Sequence, residues 1–578
     1  MAQITYRANL SAKAFPFISE NFGRSIIVAG PDQNFSRQLV AAEDQDKDIG
    51  IPQLYYCHNV MPHANGWQAI GYTSILPAVG GVTNFINIYL IRDGSDNKTF
   101  FGLTATGDWY VSDGTGAPWI FKQTVAAGKL VTVAYVAGIT YIYVANTGCY
   151  KYDFISGTFV SVSLTGIEVT NIVGVTYSAG YLIAWTKPVA GSIVSFTTVS
   201  GSTVLTGTTT GLAVGQSISG TGVPAGSSIV SINVGVSITI SFAATANGTA
   251  SMTFGGLASA VWWSSTILPT DFTPSLVTGA GGGAVESARG IINYCVPHTL
   301  GFIIGTADNC VAALYQNNTR YPFQFRELVN SGGMTSLDLV TWDANTTSLY
   351  AYTTSGLQLV STAQTQTTMP EITDFISGRY FEDFDDTTNT FSTTVLSAAM
   401  QKKIAVVSDR YLVVSYGISS LTHAIVYDLI SKRYGKVKID HVQVFTYHLA
   451  SPGILESPKQ SIAFLQKNGT VKTIDFSIGS ATLNGTMILG KYQYVRSRMM
   501  QLDQIFLESI RTTQTFDFKV LTALDGKNTV ASDPSLTYSS GLVREYSARA
   551  IGVNHSLLFK GGFVIDSLVL QFNIHGKR

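Results

Sequence analysis

The densest grouping of side chains able to do chemistry is "FEDFDDTTN" at 381–389, which carries Glu382, Asp383, Asp385 and Asp386. Carboxylates this close offer oxygen ligands to a hard cation such as calcium. The segment lacks the central glycine and the distal glutamate of a calcium-binding loop, so no metal is expected there. Paired carboxylates also drive glycoside hydrolysis, but nothing in this spacing singles out such a pair. "SDGTGAPW" at 112–119 approaches the Ser-x-Asp-x-Gly-x-x-Trp box of sialidases, with Asp113 one place early. That box is a structural hairpin, and the arginines a sialidase gathers around its substrate are scattered here. "CVPH" at 295–298 offers Cys295 and His298 as half of a metal site with no second half. Cys57, Cys149 and Cys310 lie far from it and from one another, which predicts buried thiols. There is no GxSxG elbow, no HExxH and no phosphate-binding loop. The chain reads as no enzyme, with no cofactor and no metal.

Two basic pairs are candidate interface residues. Arg496 and Arg498 lie in "YVRSRMMQLDQIFLESI" at 494–510, expected as a strand pair, and share a face if the chain is extended there. Lys577 and Arg578 end the chain. Overall, Lys plus Arg equals Asp plus Glu, 36 against 36, so no nucleic-acid-binding surface is advertised. Charged residues reach only 12%, about half the usual share, against 46% apolar residues, ample for a large core. The opening "MAQITYRANLSAKAFPF" has no apolar h-region or cleavage signal. Residues 188–270 contain no Asp, Glu, Lys or Arg, yet Ser, Thr and Gly interrupt them too often for a membrane span. A soluble chain made in the cytoplasm is the expectation.

The elements that must hold these residues are strands. Val, Ile, Thr and Tyr runs are cut by Gly, Asn and Ser turns. One hairpin shape recurs: "FFGLTATGDWYVSD" at 100–113, "TYIYVANTGCYKYD" at 140–153, "LYAYTTSGLQLVS" at 349–361 and "IAFLQKNGTVKTIDF" at 462–476, with a weaker copy at 302–315. Turns fall at Thr106-Gly107, at Asn146 to Gly148, at Ser355-Gly356 and at Asn468-Gly469, the last a pair that favours the tight hairpin because both residues tolerate positive φ. A second phrase, "YKYDFISGTF" at 150–159, returns as "IVYDLISKRY" at 425–434. Modules of 40–50 residues are the size of a propeller blade, with each Tyr-Asp phrase closing one blade. "GYLIAWTKP" at 180–188 and "SAVWWSSTILPTDF" at 259–272 read as partner strands separated by an uncharged insertion of short strands and Gly turns. A hairpin tip tolerates such an insertion because its ends are already close. "FVIDSLVLQF" at 563–572 reads as one long apolar strand, paired with the preceding "SLLFKGG" and needing burial.

Several stretches, in this order along the chain, resemble the tail nozzle proteins of short-tailed bacteriophages, also called tail tubular protein B. They are "CHNVMPHANGWQAIGY" at 57–72, the Tyr-Asp phrases, "VWWSSTILPTDF" at 261–272 and "NHSLLFKGGFVIDSLVLQFNIHGKR" at 554–578. The insertion resembles the Ig-like β-domains of phage virion proteins. The resemblance implies a virion protein, made in the bacterial host cytoplasm. It would form a homo-oligomer, a ring of six, below the tail adaptor protein and conduct double-stranded DNA during ejection. Tail fibres or other appendages would attach outside, and the inserted domain is the part available to the host surface.

The full expectation is an all-β chain: a central β-propeller of six or seven blades, a β-sandwich platform from the two chain ends, and a small inserted Ig-like β-sandwich. The segments are 1–75 and 481–578 for the platform, 76–188 and 258–480 for the blades, and 189–257 for the insertion. In a conduit, Glu382, Asp383, Asp385 and Asp386 would face the lumen and repel the duplex, as would "EDQDKD" at 43–48. Arg496, Arg498, Lys577 and Arg578 would meet an adaptor or neighbouring subunit. Two other readings stand beside this one. A carbohydrate-binding propeller or adhesin would stack sugars on Trp109, Trp119, Trp262 or Trp263; a propeller glycosidase is the third.

Overall fold

The protein was analysed as a computed structural model. The structure describes residues 3–9, 54–62, 67–95, 97–114, 116–334, 336–343, 348–353, 355–361, 365–367, 372–373, 384–385, 390–391, 401–430, 433–448, 460–475, 484–492, 498–508, 516–523, 530–532, 536–538, 545–552, 554–565 and 567–577. The chain is all-β, with a central β-propeller, and divides into two compact units.

One unit takes in Leu76–Thr368 and Lys467–Gly469. It holds five consecutive antiparallel sheets, each of four strands in chain order, the blade module of a propeller. In the first blade the strands are Phe85–Arg92, Lys98–Thr104, Asp108–Ser112 and Ile120–Thr124. In the second they are Val131–Val136, Ile139–Val144, Gly148–Asp153 and Thr158–Val162. The third is formed by Ile172–Ser178, Tyr181–Thr186, Ala260–Trp263 and Gly281–Ala284. Ile292–His298, Gly301–Thr306, Cys310–Tyr315 and Phe323–Glu327 make the fourth. Val340–Asp343, Ser348–Thr353, Gly356–Val360 and Thr365–Thr367 make the fifth.

Second strands such as "ITYIYV" and "YLIAWT" are almost wholly buried, which is why they read as unbroken apolar runs. Fourth strands such as "IFKQT" and "TFVSV" are largely exposed or half-buried. The cores lie between blades: Phe101, Leu103 and Trp109 of the first pack with Val131, Ile142 and Val144 of the second. No blade covers both its faces alone, so the module is stable only in an array.

The recurring hairpin is the second and third strands of a blade. Its turns use the expected residues: φ is 84° at Gly107, 56° at Asn146 and 99° at Gly356. At Gly107 a Cβ would also strike the Val125 carbonyl oxygen, so glycine is doubly required there. The Tyr-Asp phrase is the third strand, turn and fourth strand. Tyr152 is the register partner of Phe159, with ring centroids 4.9 Å apart. In the other unit Tyr427 is the partner of Tyr434 at 4.6 Å. Both aspartates accept a backbone N–H two residues on, Asp153 from Ile155 and Asp428 from Ile430, each at 3.0 Å. The phrase repeats because one aromatic cross-strand pair and one Asx turn close the outer hairpin in both blades.

The insertion sits between Tyr181–Thr186 and Ala260–Trp263, which pair directly: Ile183 with Trp263, Ala184 with Trp262, Trp185 with Val261. At its neck Val189 and Leu257 exchange two N–H···O bonds of 2.9 Å. Six strands between them form one antiparallel sheet around Phe196, Leu205, Ile238, Met252 and Phe254. Further backbone bonds, Gly215 N–H to Ile229 O and Ile218 N–H to Ser227 O, join the two ends of that sheet. The inserted β-domain is therefore one curled sheet. It is moored to its blade by Asn171, whose Nδ2 donates to the Leu212 carbonyl at 2.6 Å.

The other unit takes in Met1–Ile75, Met369–Gln466 and Thr470–Arg578. Two further four-stranded modules occur here. Gln401–Val407, Tyr411–Gly417, Leu421–Asp428 and Arg433–His441 form the first part of a seven-stranded sheet. Gln443–His448, Gln460–Leu465 and Val471–Asp475 are completed by Gly71–Leu76, a strand from much earlier in the chain. A β-sandwich from both chain ends accompanies them. In one sheet Gln3–Asn9 pairs with Ser567–Lys577, which pairs in turn with Arg498–Glu508 and that with Glu545–Gly552. In the other, Leu54–His58, Gly485–Tyr492, Asn554–Gly561 and Phe516–Ala523 lie side by side. Phe518 of one sheet meets Tyr546 of the other at 4.9 Å.

Two sequence expectations are corrected. "FVIDSLVLQF" is not one strand: Val564–Ile565 pairs with Gln68 and Trp67, whereas Ser567–Lys577 is a central strand of the other sheet. Its apolar residues thus avoid an exposed edge. Asn554–Gly561 pairs with Gly485–Tyr492 and Phe516–Ala523 rather than with this segment. Nor do the described residues of 494–510 form a strand pair; Arg498–Glu508 is a single strand with a register shift between Leu502 and Gln504.

Asp428 also carries a bidentate ion pair. Arg410 donates Nε to Oδ1 at 3.1 Å and Nη2 to Oδ2 at 2.7 Å, onto a carboxylate only 1% exposed. Arg410→Ala takes the guanidinium from a buried charge and is expected to cost somewhat less than the roughly 3–5 kcal/mol of a fully buried pair, because the guanidinium is half-exposed. Asp428→Asn keeps the acceptor for Ile430 and leaves the half-exposed guanidinium to water, so it should cost less. Urea denaturation of the two variants checks the order.

Candidate functional site

Of the acidic candidates, Asp385 lies in a two-stranded ladder, Phe384 opposite Phe391 and Asp385 opposite Thr390. Glu382, Asp383 and Asp386 lie outside the described residues, as does 43–48. Of the basic candidates, Arg498 and Lys577 are brought together as register partners on adjacent strands of the terminal sheet. Arg496 and Arg578 lie outside the described residues.

The other chemically suggestive groups are built into the fold. All four cysteines are buried and free. Burial pushes the Cys149 and Cys310 thiols up to about 12 and raises those of Cys57 and Cys295, so none is a ready nucleophile. His298 stands edge-on to Trp342 at 4.9 Å and accepts the Leu300 N–H on Nδ1 at 3.3 Å. Burial lowers its pKa. Among the described residues no group of three or more His, Cys, Asp or Glu is placed to hold a metal. The 112–119 stretch is the turn between third and fourth strands of the first blade, where Gly114 N–H donates to Ser112 Oγ.

The aromatic candidates separate by exposure. Trp109, Trp119 and Trp262 are 1%, 7% and 4% exposed, too buried to stack a sugar. Successive side chains of a strand point to opposite faces: Trp262 joins the core shared with the insertion, and Trp263 packs half-buried against that of the fourth blade. Trp263 also borders a groove of about 670 Å³ that sequence reasoning missed. Its walls are the insertion at Val230 and Leu257, the strand Gly281–Ala284, and the loop carrying Arg320 and Tyr321. The glycines at 279 and 281–283 were the available signal, since a strand without side chains uncovers what lies beneath it.

No protein-family model and no curated protein matches the chain. Among solved structures it is similar to YCF48 bound to a D1 peptide, at 7% identity and TM-score 0.36, covering 70% of this chain and 96% of that one. It is also similar to YCF48 from Cyanidioschyzon merolae, at 10% identity and TM-score 0.32, covering 70% and 98%. A third similarity is to the WD40 β-propeller domain of Doa1, at 9% identity and TM-score 0.31, covering 71% and 98%.

Proposed function

We propose that this chain is a structural tail nozzle protein of a short-tailed bacteriophage, assembling as a hexameric ring below the tail adaptor and conducting genomic DNA into the host. The observation that carries this reading is the pairing of Gln3–Asn9 with Ser567–Lys577. It draws both chain ends into one sheet, and a platform built from the two ends is what the family resemblance implies. Charge supports the same reading. Each phosphate neutralised by a fixed cation adds affinity through counterion release, which would stall passing DNA. Equal numbers of basic and acidic residues, at low density, avoid that hold. The acidic segment around Asp385 is assigned to the lumen, where carboxylates keep the duplex centred.

Attachment is assigned to the end of the platform sheet where Arg498 opposes Lys577. Two basic residues at one register position of the sheet offer positive charge that an acidic adaptor surface would complement. The double variant Arg498→Glu, Lys577→Glu is expected to weaken adaptor binding at least tenfold, roughly the loss of one charge-assisted contact, while the chain stays folded. Sedimentation of chain and adaptor mixtures reads this out; unchanged co-sedimentation would remove these residues from the interface.

A further inference from the structure

The groove between the insertion and the fourth blade belongs to neither the conduit nor the platform. Three features of it point to one ligand chemistry. First, it has one accessible aromatic wall and one that is held in place. Tyr321 is 63% exposed, and Trp263 is held by its Nε1 donating to the Gly279 carbonyl at 2.8 Å. Second, Gly281–Ala284 is the last strand of its sheet, pairing on one side only with Ala260–Trp263. Its outward-turned backbone groups are donors and acceptors with no side chains in the way. A Cβ built on Gly283 meets nothing within 4 Å, so this position opens on the groove. Third, Arg320 is the single charged residue lining the groove among the described residues. Its guanidinium lies over the Tyr321 ring, 5.4 Å from the centroid. Among the described residues no carboxylate lines the groove to neutralise it.

We infer that this groove binds an acidic oligosaccharide. The flat C–H face of a sugar ring stacks on Tyr321, its hydroxyls exchange hydrogen bonds with the glycine strand, and its carboxylate meets Arg320. A guanidinium already held over an aromatic ring is partly pre-organised for such a group. An added peptide strand fits less well, because main-chain ladder bonds supply the affinity in that mode and the strand offered is four residues long.

The test is binding of the full-length chain to an array of oligosaccharides ending in uronic, sialic or keto-deoxyoctonic acid, beside their neutral counterparts. At least one acidic glycan is expected to be retained over its neutral counterpart. Tyr321→Ala should weaken that binding roughly tenfold, and Arg320→Gln should abolish the preference for the acidic form. Gly283→Leu fills the groove and should eliminate binding, whereas Gly80→Leu, also at an open position, should not. Retention of no acidic glycan, or binding that survives Gly283→Leu, overturns the inference. So does capture of peptides alone. A chain that forms rings yet retains no glycan refutes this site and leaves the conduit reading standing.

Discussion

Between pH 6.5 and pH 4 the terminal unit is expected to lose about 3 kcal/mol of stability for each of two histidines. His441 and His555 are 2% and 1% exposed. Burial is the main cause that lowers each pKa from 6.5 to about 4; a hydrogen bond to Ile439 O or Ala550 O partly opposes it, and for His441 Lys403 adds to the lowering while Asp440 opposes it. The contacts define the tautomers. His441 Nδ1 lies 2.7 Å from the Ile439 carbonyl, which can only accept, so Nε2 accepts from Ser415 Oγ at 2.8 Å. His555 donates Nε2–H to the Ala550 carbonyl at 3.1 Å. A depressed folded pKa means that the unfolded chain takes up protons first. The stability is complete above pH 6.5, falls as pH drops toward 4, and is flat below. Asp108, held low mainly by the hydroxyls of Thr124 and Thr106, titrates beneath this window. Urea midpoints at pH 7.5, 5.5 and 4.0 measure the slope, and His441→Gln should remove about half of it. A midpoint unchanged from pH 7.5 to 4.0 would show that both rings ionise freely.

Trp109→Ala is expected to destabilise the blade unit by about 3–5 kcal/mol, the range for deleting a buried large aromatic. The indole is 1% exposed and packs on Phe101 of its own blade at 4.9 Å. It also packs on Tyr150 and Phe159 of the next blade at 5.1 and 4.7 Å. The cavity would therefore open between blades, at the surface each needs the other to cover. Ile155→Ala supplies the contrast from within the repeated phrase. That side chain is fully exposed at the turn, and its loss should stay within about 0.5 kcal/mol. Chemical denaturation of both variants decides; near-equal values would mean that the blades do not depend on this contact.

Much of the fold was legible because the information was local. A glycine with positive φ marks a turn wherever it stands, and Gly107 and Gly356 mark theirs. The Tyr-Asp phrase carries its own aromatic pair and its own Asx turn, so it reads the same in both blades. The insertion announced itself by losing all charge. What stayed hidden was the choice of partner. Val564 and Leu568 are equally apolar, yet they belong to different sheets, a choice made by tertiary packing and not by periodicity. Trp109 and Trp119 looked available to a ligand because tryptophan is amphipathic in sequence, while blade stacking buries both. The groove escaped for the opposite reason: glycines are read as turns, and here three of them form an edge strand.

The conduit account is tested most directly by the mass of the purified chain, alone and with adaptor protein, followed by particle images of the assembly. The account predicts a ring of six copies with an axial hole, seated on the adaptor, and the 381–386 segment lining that hole. A stable monomer that ignores the adaptor, or a ring with that segment on its outer wall, would contradict it.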